Sequence, residues 1–111
     1  MIEERIVQYL AEALDVPVAA ERPERPPARF CVVMRNGGSQ SNRIDHALVT
    51  VQSYAESTLE AARLNRRVKT ALLAMQPETV NLNSDYSYDD TQTKAHRYQA
   101  VFDIYYKEDE A

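Results

Sequence analysis

The chain has 111 residues, 44% of them hydrophobic and 27% charged, with a formal net charge of −4. That is one domain's length, enough to bury roughly two-thirds of the unfolded surface in a single core, which excludes wholesale disorder; the acidic balance disfavours a dedicated nucleic-acid binder, because phosphate neutralisation needs a basic face. No apolar run approaches the length of a membrane-spanning helix, and no basic leader with an apolar region opens the sequence, so neither a membrane partner nor a secretory signal is expected.

Ile2, Ile6, Tyr9, Leu10, Ala13 and Leu14 recur at helical spacing between Glu3, Glu4, Arg5, Gln8 and Glu12. This predicts an amphipathic helix of about a dozen residues, with the acidic pair suited to the helix dipole. Asp15-Val16-Pro17 ends it, since the residue before a proline is disfavoured in the α conformation. Val16 to Glu21 reads as a short edge strand. Residues 22–27 (Arg22-Pro23-Glu24-Arg25-Pro26-Pro27) hold three of the five prolines. A stiff connector is favoured there over a proline-rich recognition motif.

Phe30-Cys31-Val32-Val33-Met34-Arg35 predicts a strand with a buried face. Its cysteine, the sole one in the chain, is read as a small buried hydrophobe rather than a reactive thiol. Residues 36–42 collect turn formers and contain both glycines, Gly37 and Gly38. A loop that reverses the chain is expected at the double glycine. Ile44 to Tyr54 returns as a second strand, with Ala47, Val49 and Val51 on one face and Leu48, Thr50 and Tyr54 on the other. From Ala55 the period lengthens, and Ala61, Leu64, Val68, Leu72 and Met75 form one helical stripe before Pro77. Arg63, Arg66 and Arg67 lie away from that stripe, with Lys69 nearby. A solvated face paired with Glu56 and Glu60 is favoured over an interface or a phosphate contact.

Val80-Asn81-Leu82 reads as a weak strand, and the polar segment from Ser84 to Thr93 as a long hairpin loop. Asp85, Asp89 and Asp90 lack the alternating ligand spacing of a calcium loop, so no metal is expected. In the last strand Tyr98, Ala100, Phe102, Ile104 and Tyr106 alternate with polar residues, and residues 108–111 form an acidic tail. The order of elements predicts a single α+β domain over residues 1–111. Its mostly antiparallel sheet would carry the N-terminal helix and the long central helix on one face.

Chemistry has no evident centre. His46 and His96, on the second and last strands, would be able to approach across a sheet and, with Asp45, to bind metal or relay protons. There is no clustered ligand set and no nucleophile elbow, and the double glycine lacks the Lys-Ser/Thr of a phosphate loop. Neither an enzyme nor a cofactor is expected.

Several features in order carry a resemblance: Val16-Pro17 before the proline-bearing connector, the strand ending in Arg35, Gly37-Gly38, the run Leu48-Val49-Thr50-Val51-Gln52-Ser53-Tyr54-Ala55, the helix with Ala61-Ala62-Arg63-Leu64, and the Tyr-led strand Tyr98-Gln99-Ala100-Val101-Phe102. In order and character the chain resembles the tail terminator, or tail completion, proteins of long-tailed bacteriophages. The family often has an aromatic such as Trp before the Ala, where this chain has Tyr54. The resemblance implies a structural virion protein, located at the tail end or neck and in the host cytoplasm during assembly. It would form a ring, typically of six copies, that stops tail-tube polymerisation. Its partners would be further copies of itself, the tail tube protein and a head-completion protein of the neck. DNA would pass through the lumen without specific binding. Six copies at −4 each carry about −24, a sign that repels phosphate. Arg35, Gly37, Gly38 and Arg43 of one copy, facing Asp85, Asp89 and Asp90 of the next, are the candidate interface. The alternatives are a head–tail connector or neck stopper component, and a monomeric cytoplasmic module with a small-ligand pocket between helices and sheet.

Overall fold

The computed structural model describes residues 1–89 and 95–107. Helix α1 (Ile2–Leu14) leads through the two-residue strand β1 (Val18–Ala19) and the connector to strands β2 (Phe30–Ser41) and β3 (Ile44–Ala55). Helix α2 (Thr58–Leu73), strand β4 (Thr79–Ser87) and strand β5 (His96–Tyr106) complete the chain. The sheet order is β1-β2-β3-β5-β4. β1 runs parallel to β2, and every other neighbouring pair is antiparallel. The fold is α+β, with both helices on one face of the sheet.

Period sets the layers. Ile2, Ile6, Leu10 and Leu14 of α1 and Leu64, Val68 and Leu72 of α2 are buried in one cluster with Val33, Ala47, Val49, Val51, Ala100, Phe102 and Ile104 of the sheet. The alternation of β3 and β5 puts those sheet residues on a common face. α2 starts at Thr58 rather than at Ala55, which is the last residue of β3; Ser57 caps it by accepting from the Glu60 N–H at 3.1 Å. Met75 is buried as the stripe predicts, although it lies beyond the last helical turn. Polar ties hold α1 to the elements that follow it. The Tyr9 hydroxyl donates to the Ala71 carbonyl at 2.7 Å, and Arg5 Nε donates to Glu78 Oε2 at 3.0 Å. Arg67 donates to the Leu14 carbonyl, so this arginine stitches the two helices while remaining exposed. Arg63 does pair with Glu60, at 2.6 Å, whereas Glu56 pairs with Arg29, the residue before β2.

Three expectations are corrected. The chain does not reverse at the double glycine: neither glycine has positive φ, and residues 36–41 belong to β2. Reversal occurs at Asn42 (φ 52°) and Arg43 (φ 65°), a two-residue turn with both centres left-handed, which suits the twist of a hairpin. The weak strand near residue 80 is nine residues long and takes in Ser84 to Ser87, because β5 supplies a full-length partner. The remainder of the expected loop beyond Asp89, and the acidic tail from residue 108, lie outside the described residues. The expected edge strand at residues 16–21 shrinks to Val18–Ala19.

Candidate interaction surface

The two edges of the sheet differ in chemistry. On one side β1 covers only Cys31 and Val32 of β2. Beyond it the outer edge of β2 has no neighbouring strand among the described residues, and the β2–β3 arm is exposed from Arg35 to Ile44, with β3 paired to β5 from Asp45 onward. Twelve residues at roughly 3.3 Å each give a strand of about 40 Å, close to the molecule's 43 Å long axis. A bulge at Asn36 separates the buried half of β2 from the arm. Next to it Arg35 folds back, its Nε donating to the Gly37 carbonyl at 3.3 Å. A Cβ built on Gly38 would meet the Arg35 guanidinium and, at 2.5 Å, the His46 carbonyl; one on Gly37 would meet open space. Arg43 sits at the arm's tip. The other edge is β4, bulged at Asn83. Here the Asp85 carboxylate accepts from Lys69 Nζ at 2.8 Å, and Asp89 accepts from the Arg97 N–H at 3.3 Å. The candidates Arg35, Gly37, Gly38 and Arg43 therefore share one edge of the sheet, and Asp85 and Asp89 lie on the opposite one. Asp90 is outside the described residues.

The sheet face away from the helices carries a polar and aromatic lattice. Phe30 stacks on Tyr54 with ring centroids 4.4 Å apart and planes 5° from parallel. The Arg97 guanidinium lies 4.4 Å from the Tyr88 ring and 5.6 Å from that of Tyr54. A chain of hydrogen bonds then crosses three strands. Arg97 Nη1 donates to the Tyr54 hydroxyl (2.9 Å), which donates to Gln52 Oε1 (3.1 Å). Gln52 Nε2 donates to Gln99 Oε1 (3.0 Å), and Gln99 Nε2 donates to the Tyr86 hydroxyl (2.6 Å). Towards the arm, His46 Nε2 contacts Asp103 Oδ1 at 2.7 Å, Asn83 Nδ2 donates to Asp103 Oδ2 at 3.1 Å, and the His46 ring stacks on Tyr105. The Asn83 amide, followed by His46, holds the Asp103 carboxyl below its usual range. Sequence reasoning missed this lattice. Alternation marks its members as one face of β3 and of β5, but only the register brings Gln52 opposite Gln99.

The histidine pair that the sequence left open, and argued against, does not come together. His46 pairs with Tyr105 and His96 with Ala55, at opposite ends of the same ladder. His46 takes Asp103 as its partner; Asp45, the next residue on a strand, points to the other face. Among the described residues no three metal-ligating side chains cluster. Burial pushes the Cys31 thiol up to about 12, so it stays protonated and inert.

The space between helices and sheet is filled by side chains, and two clefts open at the periphery. One, of about 440 Å³, lies between the first turns of α1 and the start of the arm, and is lined by residues including Glu3, Glu4, Val7, Ala20, Val33 and Met34. The other, of about 650 Å³, lies by the N-terminus of α1 and the end of β5, with Arg5, Ile44, Glu78 and Tyr105 in its wall. Arg5 already serves Glu78 there: burial pushes the Glu78 carboxyl up, but the hydrogen bond from Arg5, a backbone hydrogen bond and the Arg5 charge together outweigh it and the net shift is downward.

No family model matches the sequence, and no curated protein matches it. A solved structure from Akkermansia muciniphila is similar in fold, with a TM-score of 0.53 and 11% sequence identity. The match covers 95% of this chain and 49% of that one, so this chain spans about half the length of that structure.

Proposed function

We propose that this protein is a ring-forming structural subunit of a phage tail, which caps the end of the tail tube and presents a surface to the neck. The observation that carries the reading is the pair of unlike sheet edges. The outer edge of β2 along the arm offers unpaired backbone with the cations Arg35 and Arg43 beside it, and β4 on the opposite side offers unpaired backbone with Asp85 and Asp89 beside it. Unlike surfaces on opposite sides favour head-to-tail contacts, which close into a ring when the rotation permits. The strand directions suit this as well. β2 and β4 run oppositely within one sheet, so rotation about an axis along the strands sets β4 of one copy antiparallel to β2 of the next.

The resemblance to tail terminators supplies the tube and the neck as partners, and the acidic composition suits a lumen that lets DNA slide. Sedimentation of the free protein, together with class averages of purified tails, tests the proposal. The expected outcome is a closed ring, either free or at the tube end. A protein that stays monomeric at high concentration and is absent from purified virions overturns it.

A further inference from the structure

We infer that Leu73 and Leu82 form an apolar knob of the ring contact, which seats against Val7 in the 440 Å³ cleft of the next copy. This deepens the ring reading and rests on it. Leu73 and Leu82 are 49% and 40% exposed, and both lie at the β4 edge on the helix side of the sheet. Lys69, one turn before Leu73, reaches Asp85 of β4, which puts Leu73 on the same flank of α2. Leu82 pairs with Phe102, whose side chain is buried in the cluster under the helices, so Leu82 projects to that side.

The opposite side of the molecule holds the recess. Arg5 and Tyr9 bond to Gln76 and Ala71, on the α2 side of α1. Val7 is two residues from each and therefore lies on the far flank of the helix. There it lines the 440 Å³ cleft with Gln8 and Ala20, beside the part of β2 that β1 leaves uncovered. The wall carries both signs, Glu3 and Glu4 with Arg35, so charge in the cleft selects no occupant. Position does.

Within one subunit Arg5, Tyr9 and Leu14 of α1 stand level with Gln76, Ala71 and Arg67. Val7 and Leu73 therefore share a height along the strands, although they occupy opposite outer flanks of the helix layer. The rotation that sets β4 of one copy beside β2 of the next is about an axis along the strands, so it preserves every height. It also brings the outer flank of α2 against the outer flank of the next α1, and Leu73 arrives opposite Val7. Arg66, two turns before Leu73 on the same flank, arrives opposite Asp15. These two residues are exposed and of opposite sign, which suits the same register.

Introduced cysteines test the contact, since Cys31 is buried and does not compete. Val7→Cys and Leu73→Cys chains are mixed and mildly oxidised under the conditions in which sedimentation or class averages show the ring. A disulfide-linked dimer is expected in the mixture and in neither variant alone, and a chain carrying both substitutions should give a ladder of linked oligomers that ends at the ring. Leu73→Asp should lower the assembled fraction roughly tenfold or more, as loss of an interface anchor does. Its melting temperature should hardly change, because Leu73 is half exposed in the subunit. Rings that form without the cross-link, or that tolerate Leu73→Asp, overturn this contact and leave the ring reading standing. Linkage of Leu73→Cys to itself would show a two-fold contact and overturn both. A protein that is monomeric in solution and absent from tails overturns the ring reading, and this inference with it.

Discussion

Gly37 and Gly38 are adjacent in sequence and opposite in tolerance. In Gly38→Ala the new methyl carbon meets the His46 carbonyl, and relieving that contact is expected to cost about 1–3 kcal/mol, as for other overpacked sites. Gly37→Ala meets nothing and requires no left-handed backbone, so it should be neutral or stabilise by up to ~1 kcal/mol through the unfolded chain. Urea denaturation of the two variants gives the comparison. At the same scale, Asp103 predicts a pH effect. Its folded carboxyl titrates below the ordinary value, held there by Asn83 and His46. The pair therefore stabilises the fold above the unfolded aspartate value of about 3.9, and this contribution is lost as pH falls through and below that value. Asp103→Asn should flatten the acid limb of a stability–pH curve relative to wild type while leaving its shape above pH ~6 nearly unchanged.

Elements with a strong period were legible from sequence alone. The stripe Leu64, Val68, Leu72 and the alternation Ala100, Phe102, Ile104 identify their own buried faces, because burial is imposed at the repeat of the backbone. Leu72→Ala is accordingly expected to cost about 2–5 kcal/mol, measured as a change in the denaturation midpoint. A loss under ~1 kcal/mol, well below that range, would mean that α2 packs through another face. What stayed hidden depended on partners distant in sequence. Gly-Gly is a stronger local turn signal than Asn42-Arg43, yet pairing with β3 along its full length keeps the glycines extended and moves the reversal to the arm's tip. Likewise Ser84 to Ser87 are poor strand formers, extended because β5 lies beside them. Gly37, Gly38 and Asp85, expected in loops, are strand residues, so the assembly role proposed for them depends on the edge they occupy.

For the whole molecule, assembly and folding should respond to different residues. Arg43 is exposed at the tip of the arm, so Arg43→Glu should impair ring formation, read by sedimentation, with little change in melting temperature. Asp89 is the better acidic partner, because its side chain is the more exposed, 47% against 28% for Asp85, which Lys69 engages. Asp89→Arg combined with Arg43→Glu should recover part of the ring population, and no recovery would point to a different pairing across the interface. The ties that hold α1 carry a consequence for synthesis. Ile2, Ile6, Leu10 and Leu14 leave the ribosome first, but the groups that cover and fasten them lie as late as Ala71, Gln76 and Glu78. At about 5–20 residues per second, that apolar stripe waits several seconds for its partners. A nascent chain stalled before residue 70 should therefore display α1 to chaperones and proteases, and one stalled with Glu78 and β5 already outside the tunnel should conceal it.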